Sequence, residues 1–397
     1  MKPQICILIV CFCRLAFPVS AGDISLWRVL GVETSVITDV TTDGYLVWIN
    51  ESEGQIDRIQ VATSLDPTNW IHFTSVLVTG SFVSYRVLTP ESPDYLVIDL
   101  SEGPSATNYP VTWLAAAPYG GWPEEYRSSK IVCRRIPPGT FMMGAPTNEL
   151  GRDSDERQHL VTIYQTYYIG VFEVTQKQWE RVMGTWPSYF TNSTYRDTRP
   201  VEQVSYYDIR ECAVNKGDPA VYWPSNNVVN ANSFMGKLRE KTGLMTLDLP
   251  TETQWEYACR AGTATALNSG QNLTNRIRDE AMNLVGRYID NHPGGYSWDE
   301  GVNTGGGTAK VGSYQANAWG LYDMHGNVSE WCLDGYGAYP GTVTNQNWEV
   351  LGTNRIIRGG GWNSEARTCR SANRNFYLNG PSHRSPSGGF RIVITFQ

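Results

Sequence analysis

Asn317-Ala-Trp-Gly-Leu-Tyr-Asp-Met-His-Gly-Asn-Val-Ser-Glu-Trp331 packs aromatic rings, glycines, amides and two carboxylates into one short run. The pattern fits neither the 3.6-residue period of an amphipathic helix nor the alternation of a half-buried strand. It reads instead as a rigid loop clamped by its aromatics. Such a loop, with its two carboxylates, is able to hold a hard cation.

Around this run the chain extends to 397 residues, room for two or three domains of roughly 100–200 residues. Abundant Gly and many Trp and Tyr point to turns and loops pinned by large side chains. The formal net charge is −7 and no Lys/Arg run occurs, which argues against a nucleic-acid partner. Residues 1–21 read as a signal peptide. Lys2 supplies the charge, Ile5 to Phe17 is largely apolar apart from Arg14, and Val19-Ser20-Ala21 fits a small-residue cleavage site. The apolar run is too short to span a bilayer. The expectation is an exported chain with no membrane segment once the leader is cleaved; the alternative is an uncleaved N-terminal anchor. Outside the leader lie Cys133, Cys212, Cys259, Cys332 and Cys369, an odd number that leaves a free thiol or an interchain pair. No Cys-x-x-Cys occurs, so a zinc site has little support.

Residues 22–114 carry short β-rich runs, among them Tyr45–Ile49, Ile56–Val61, Phe82–Leu88 and Tyr95–Ile98, punctuated by turn residues. They suggest a small β-sandwich serving as a spacer or adhesion module. Residues 115–129, opening Ala-Ala-Ala-Pro-Tyr-Gly-Gly-Trp122, read as a linker, and 130–397 as a second domain. In that domain Ile136–Gly144 and Val161–Val171 are expected strands. Thr175 should cap a helix running to Met183 and stopped by Gly184. Ser205 with Asp208, and Thr251 with Gln254, form capping boxes; a further helix over Ala231–Thr242 ends at Gly243, and Gly262 closes the Thr251 helix. Beyond it only loops and short strands are expected. Such a region needs cations, disulfides or aromatic clusters to hold it.

Four stretches in order resemble the formylglycine-generating enzyme, or sulfatase-modifying factor, family. They are Phe141-Met-Met-Gly144 with Tyr168-Ile-Gly-Val-Phe-Glu-Val-Thr-Gln176; Arg199-Pro-Val-Glu-Gln-Val-Ser205; Leu249-Pro-Thr-Glu-Thr-Gln-Trp-Glu-Tyr-Ala258; and the Asn317–Trp331 run with Arg358-Gly-Gly-Gly-Trp362 and Gly389-Phe-Arg391. The resemblance covers roughly Lys130 to the end. It implies an α+β, C-type-lectin-like domain poor in regular structure. It also implies a calcium site made by the Asp323 and Glu330 side chains and the carbonyls of Gly326 and Val328. The alternative is that both carboxylates only bond the loop backbone. A second family cation site would fall at Asn283 and Leu284.

Members of the family oxidise a sulfatase cysteine to formylglycine with oxygen and a copper(I) ion held by two thiolates. Copper(I) is soft and prefers sulfur. By resemblance the second thiolate falls on Cys369, but Ser364 stands where the first belongs. A serine hydroxyl stays protonated at neutral pH and is a poor ligand for copper(I). The cleft departs as well: Gly361, before Trp362, replaces a serine, and Ser329 replaces a tryptophan. Arg374 matches a substrate-cleft arginine, or else forms a structural ion pair. Cys259 and Cys332, beside family motifs, are a candidate disulfide or two buried thiols. Two functions follow. One is an exported member with a degenerate copper site, acting as a binding or structural module for a peptide, protein or carbohydrate. The other is an active copper-dependent oxidase acting on a sulfatase.

Overall fold

The computed structural model describes residues 93–210, 229–291, 307–339 and 354–396, together with the backbone of the strands that precede them. Cys212 lies outside the described residues. The chain divides into two units, Met1–Pro93 and Asp94–Gln397. No helix among the described residues is long and apolar enough to cross a membrane.

The first unit holds two antiparallel sheets. In one, Cys6–Cys11, Ile24–Leu30, Ile56–Ala62 and Ile71–Leu77 follow each other in spatial order; the other is formed by Val36–Val40, Tyr45–Ile49 and Phe82–Arg86. Cys6–Cys11, within the leader-like residues, pairs along its whole length with Ile24–Leu30 at one edge of this sheet.

The strand Tyr95–Asp99, assigned from sequence to the first domain, pairs instead with Lys130–Ile136. Val111–Leu114 pairs with it in turn. Both strands complete a six-stranded sheet of the second unit, which continues through Tyr167–Gly170, Val393–Thr395 and Leu247–Asp248. The domain boundary therefore falls at residue 93 and not at 114. The supposed linker is packed as well. Trp122 sits edge-on to Tyr95 at 4.9 Å and to Tyr126 at 5.0 Å, within and beside a short 3-10 turn at Glu124–Arg127. Residues 161–171 form two strands rather than one: His159–Ile163 pairs with Gly139–Met143, and Tyr167–Gly170 joins the large sheet.

The helices follow their caps. α1 (Gln176–Met183) starts from a Thr175–Gln178 capping box and stops at Gly184, whose φ is 73°. α2 (Tyr206–Ile209) is a single turn capped by Ser205 and Asp208. α3 (Phe234–Thr242) starts from Ser233 and ends at Gly243. α4 (Glu252–Arg260) has the Thr251–Gln254 box, but its left-handed terminal residue is Ala261, one before the expected glycine. α5 (Met282–Val285) is one turn. The Trp179 ring stacks on Phe234 at 5.3 Å, joining α1 to α3, and Phe390 meets both edge-on.

The region expected to be sparse in regular structure holds a four-stranded sheet, Asn375–Phe376, Arg355–Arg358, Ser329–Gly335 and Gly388–Gly389, with the last pairing parallel. Around it, buried arginines join chain segments far apart in sequence. Arg358 bonds Glu252 at 3.0 Å and Glu256. Arg370 bonds Glu149 and Glu156 at 2.6–2.8 Å. Arg210 and Arg239 converge on Asp248. Arginine suits this role because its planar fork bonds a carboxylate through two N–H groups.

Candidate functional site

The Asn317–Trp331 run folds as a loop leading into the strand Ser329–Gly335. Asp323 and Asn327 take positive φ, 56° and 61°, as does Gly326 at 87°. Gly326 has no alternative, because a Cβ there would collide with the Arg287 carbonyl. The backbone thus coils tightly around one point. Asp323 is buried; its Oδ2 accepts from Gly312 N at 2.6 Å, while its Oδ1 has no hydrogen-bond partner among the described residues.

Glu330, the other expected ligand, is engaged otherwise. Arg391 donates to both its oxygens at 2.6 Å, and the Trp255 indole donates to Oε2 at 2.7 Å. The sequence reading missed a third carboxylate, Glu173. It accepts from the Asn327 amide at 2.6 Å and from Val328 N at 3.1 Å. Burial, then the charges of Asp323 and Glu330, push the Glu173 carboxyl well above its usual range. Burial also raises Asp323, to about 6. Arg391 faces all three carboxylates and Arg127 adds its charge near Asp323, yet Glu173 and Asp323 still hold their protons more tightly than usual. The signal for Glu173 was present: an acid between Phe172 and Val174 in a resemblance motif. Its role lay hidden because the partner loop is far along the chain.

A carboxylate oxygen with no hydrogen-bond partner among the described residues, in a cluster of three acidic side chains, fits a hard cation that would displace their protons. No group of three or more His, Cys, Asp or Glu side chains among the described residues could hold a metal by itself. A cation here would therefore draw on Asp323 and the carbonyls of Gly326 and Val328, with Glu330 shared with Arg391. Asn283 and Leu284 lie exposed on α5, and no such side-chain group forms around them.

The copper position does not fit copper. Ser364 Oγ accepts from Gly361 N at 2.9 Å, closing a tight turn. Cys369 is fully buried in an apolar cluster with Ala266, Leu267, Tyr288 and Ala366. Burial pushes its thiol up to about 12. A thiol so placed stays neutral, and copper(I) held by two thiolates would need a second sulfur that Ser364 does not supply.

Cys259 and Cys332 do not form the candidate disulfide; both are free, buried thiols. Cys259 faces the Ser371 hydroxyl at 3.5 Å and the Met324 carbonyl, while Cys332 lies toward the Glu330 carbonyl. Both belong to one buried cluster with Trp255 and Met324, yet their sulfurs face different partners, which adjacency to motifs could not reveal. Beside Cys259, His325 Nε2 accepts from Asn268 N at 3.0 Å, so Nδ1 carries the proton and donates to the Cys369 carbonyl at 2.7 Å. Burial lowers this imidazole to about 4. With its lone pair engaged, His325 cannot serve either thiol as a base.

The three cleft residues do come together. Ser329 N donates to Ser387 O at 2.7 Å and the Trp362 indole to Pro386 O at 3.0 Å. A Cβ on Gly361 would stand 2.8 Å from the Ser387 Cβ. The Pro386–Ser387 backbone thus packs against all three. Arg374 is a structural ion pair: its side chain is buried and forks onto Glu252 at 2.6 and 2.8 Å, with Tyr339 against the guanidinium. Of the two readings of Arg374, these contacts match the structural ion pair, with the guanidinium charge met by Glu252.

The family model described as a sulfatase-modifying factor enzyme 1-like domain matches residues 123–396. A protein of Paenibacillus barcinonensis named chaperone protein LppX is 34% identical over 241 residues, 57% of this chain and 79% of the relative. The formylglycine-generating enzyme of Mus musculus is 25% identical over 283 residues, 65% of this chain and 73% of that one. The solved structure of PvdO from Pseudomonas aeruginosa aligns with a TM-score of 0.50 and 26% identity, covering 67% of this chain and 94% of its own.

One pH effect follows from the buried charges beside this site. Burial, then the charge of Glu252, push Asp334 up to about 7 from an ordinary 3.8. The folded state then binds its proton more tightly than the unfolded state does. Its contribution is intact below about pH 4 and is lost as pH rises toward 7. Asp334→Asn should lose less stability between pH 5 and pH 8 than the parent, by roughly 1–3 kcal/mol in urea unfolding. Equal losses in the two proteins would contradict this account.

Proposed function

Because this chain belongs to the sulfatase-modifying factor family, we propose that it is a member without copper redox chemistry, exported and working as a binding module. One observation carries the reading: Ser364 stands at the first thiolate position while Cys369 is sealed as a neutral thiol. Copper(I) held for oxygen chemistry needs two sulfurs open to substrate, and this segment offers one sulfur, buried. The Pro386–Ser387 backbone against the cleft residues and the neutralised Arg374 support the same reading. The family contains relatives named as an enzyme and as a chaperone, so its scaffold is compatible with roles other than oxidation. Export rests on the leader-like residues 1–21.

Calcium is the cofactor this reading retains. Asp323 with the Gly326 and Val328 carbonyls would hold it, and the cation would displace the protons that Glu173 and Asp323 hold. Its contribution would be structural: it would hold the coiled Asp323–Val328 backbone against the strand that follows.

Two measurements check these statements. Purified from the exported fraction of its host, the chain should begin at Gly22, bind no stoichiometric copper(I) and leave a Cys-x-Pro-x-Arg peptide unoxidised. Tight one-to-one copper binding that disappears in Cys369→Ala would instead establish the oxidase. Millimolar calcium should raise the thermal midpoint of the EDTA-treated protein by several degrees, and Asp323→Ala should abolish the rise. An equal rise in the variant would place calcium elsewhere.

A further inference from the structure

A groove of about 990 Å³ opens between α1, α2 and the turn before α3. It shares no residue with the Ser364–Cys369 segment or with the Asp323 loop, so its use does not depend on the state of either. The volume lies at the upper end of the range typical of small-ligand sites.

Its lining has a consistent chemistry. Among the described residues the only charged side chains lining it are Asp208 and Arg384, and they neutralise each other through two hydrogen bonds at 2.6 and 2.8 Å. A charged ligand would find no unpaired counter-charge. The remaining polar groups are hydroxyls and planar amides. Those of Gln203 and Asn232 have no side-chain hydrogen-bond partner among the described residues. Tyr189, 49% exposed, and the half-buried Tyr207 supply aromatic surface.

Gln203 adds an independent sign. It holds φ at 60°, a left-handed conformation that a non-glycine residue adopts at a cost. Its N–H donates to the Ser385 carbonyl at 2.9 Å, which fixes the backbone. A glycine would relax this position. What glutamine adds there is an amide directed at the groove, at the expense of backbone strain.

We propose that this groove binds a short neutral oligosaccharide. A pyranose presents an apolar C–H face, suited to a tyrosine ring, and a rim of hydroxyls. Each hydroxyl both donates and accepts, and an amide or an Asp–Arg pair can answer it with both roles. An extended peptide fits less well. Peptides gain affinity by pairing with an exposed sheet edge, and the walls here come from helices and loops alone.

The test is calorimetric titration of the full chain with cellotriose, xylotriose and chitotriose, each to millimolar concentration. At least one sugar should bind saturably. Tyr189→Ala should weaken that binding tenfold or more. Gln203→Gly should weaken it comparably while raising the thermal midpoint, because it relieves the backbone and removes the amide. The rise separates a ligand-binding role from a structural one. Three outcomes overturn the proposal: no binding of any of the three sugars, binding unchanged in both variants, or displacement of the bound sugar by a Cys-x-Pro-x-Arg peptide. Because the copper experiment uses none of these residues, a failure here leaves the copper reading standing, and the reverse holds as well.

Discussion

Arg391 and Glu330 meet in the interior through two short charge-assisted hydrogen bonds, with the Trp255 indole as a third donor. This contact joins the C-terminal Gly389-Phe-Arg391 segment, the aromatic loop and α4. Such a pair is costly to bury and costly to break; removing one partner typically destabilises by about 3–5 kcal/mol. Its value is therefore in specificity more than in net stability. In a region with so few long strands and helices, it tells the chain which segments belong together. Arg358, Arg370 and Arg374 do the same between α4, the Glu149–Glu156 turn and the Ala366–Arg374 segment.

The same interior explains both halves of the site. Guanidinium groups bond Glu252, Glu256 and Glu330 directly, while Glu173 and Asp323 have no such ion pair among the described residues and hold their protons more tightly than usual. Next to them the packing is apolar, and Cys369, Cys259 and His325 are all held in their neutral forms.

What the sequence revealed was local. Thr175 and Gly184, or Ser233 and Gly243, bound their helices through contacts within a turn, and the side chains alone announce them. The resemblance motifs located the loop and the family. What stayed hidden was non-local. Tyr95–Asp99 reads as a strand in either domain, because its pairing with Lys130–Ile136 is set by tertiary register. Arg374 has the same identity whether it faces a ligand or Glu252. Glu173 announces a buried acid but not its partners, and the adjacency of Cys259 and Cys332 to motifs carries no information on where their sulfurs point.

The account turns on the state of one sulfur. The native protein should be treated with iodoacetamide at pH 8 and the peptide containing Cys369 followed by mass spectrometry. A neutral, buried thiol predicts that this peptide stays unmodified until the protein is unfolded. Alkylation of Cys369 in the folded chain at the rate of a free, exposed thiol would contradict it, and would reopen the position to metal and redox chemistry.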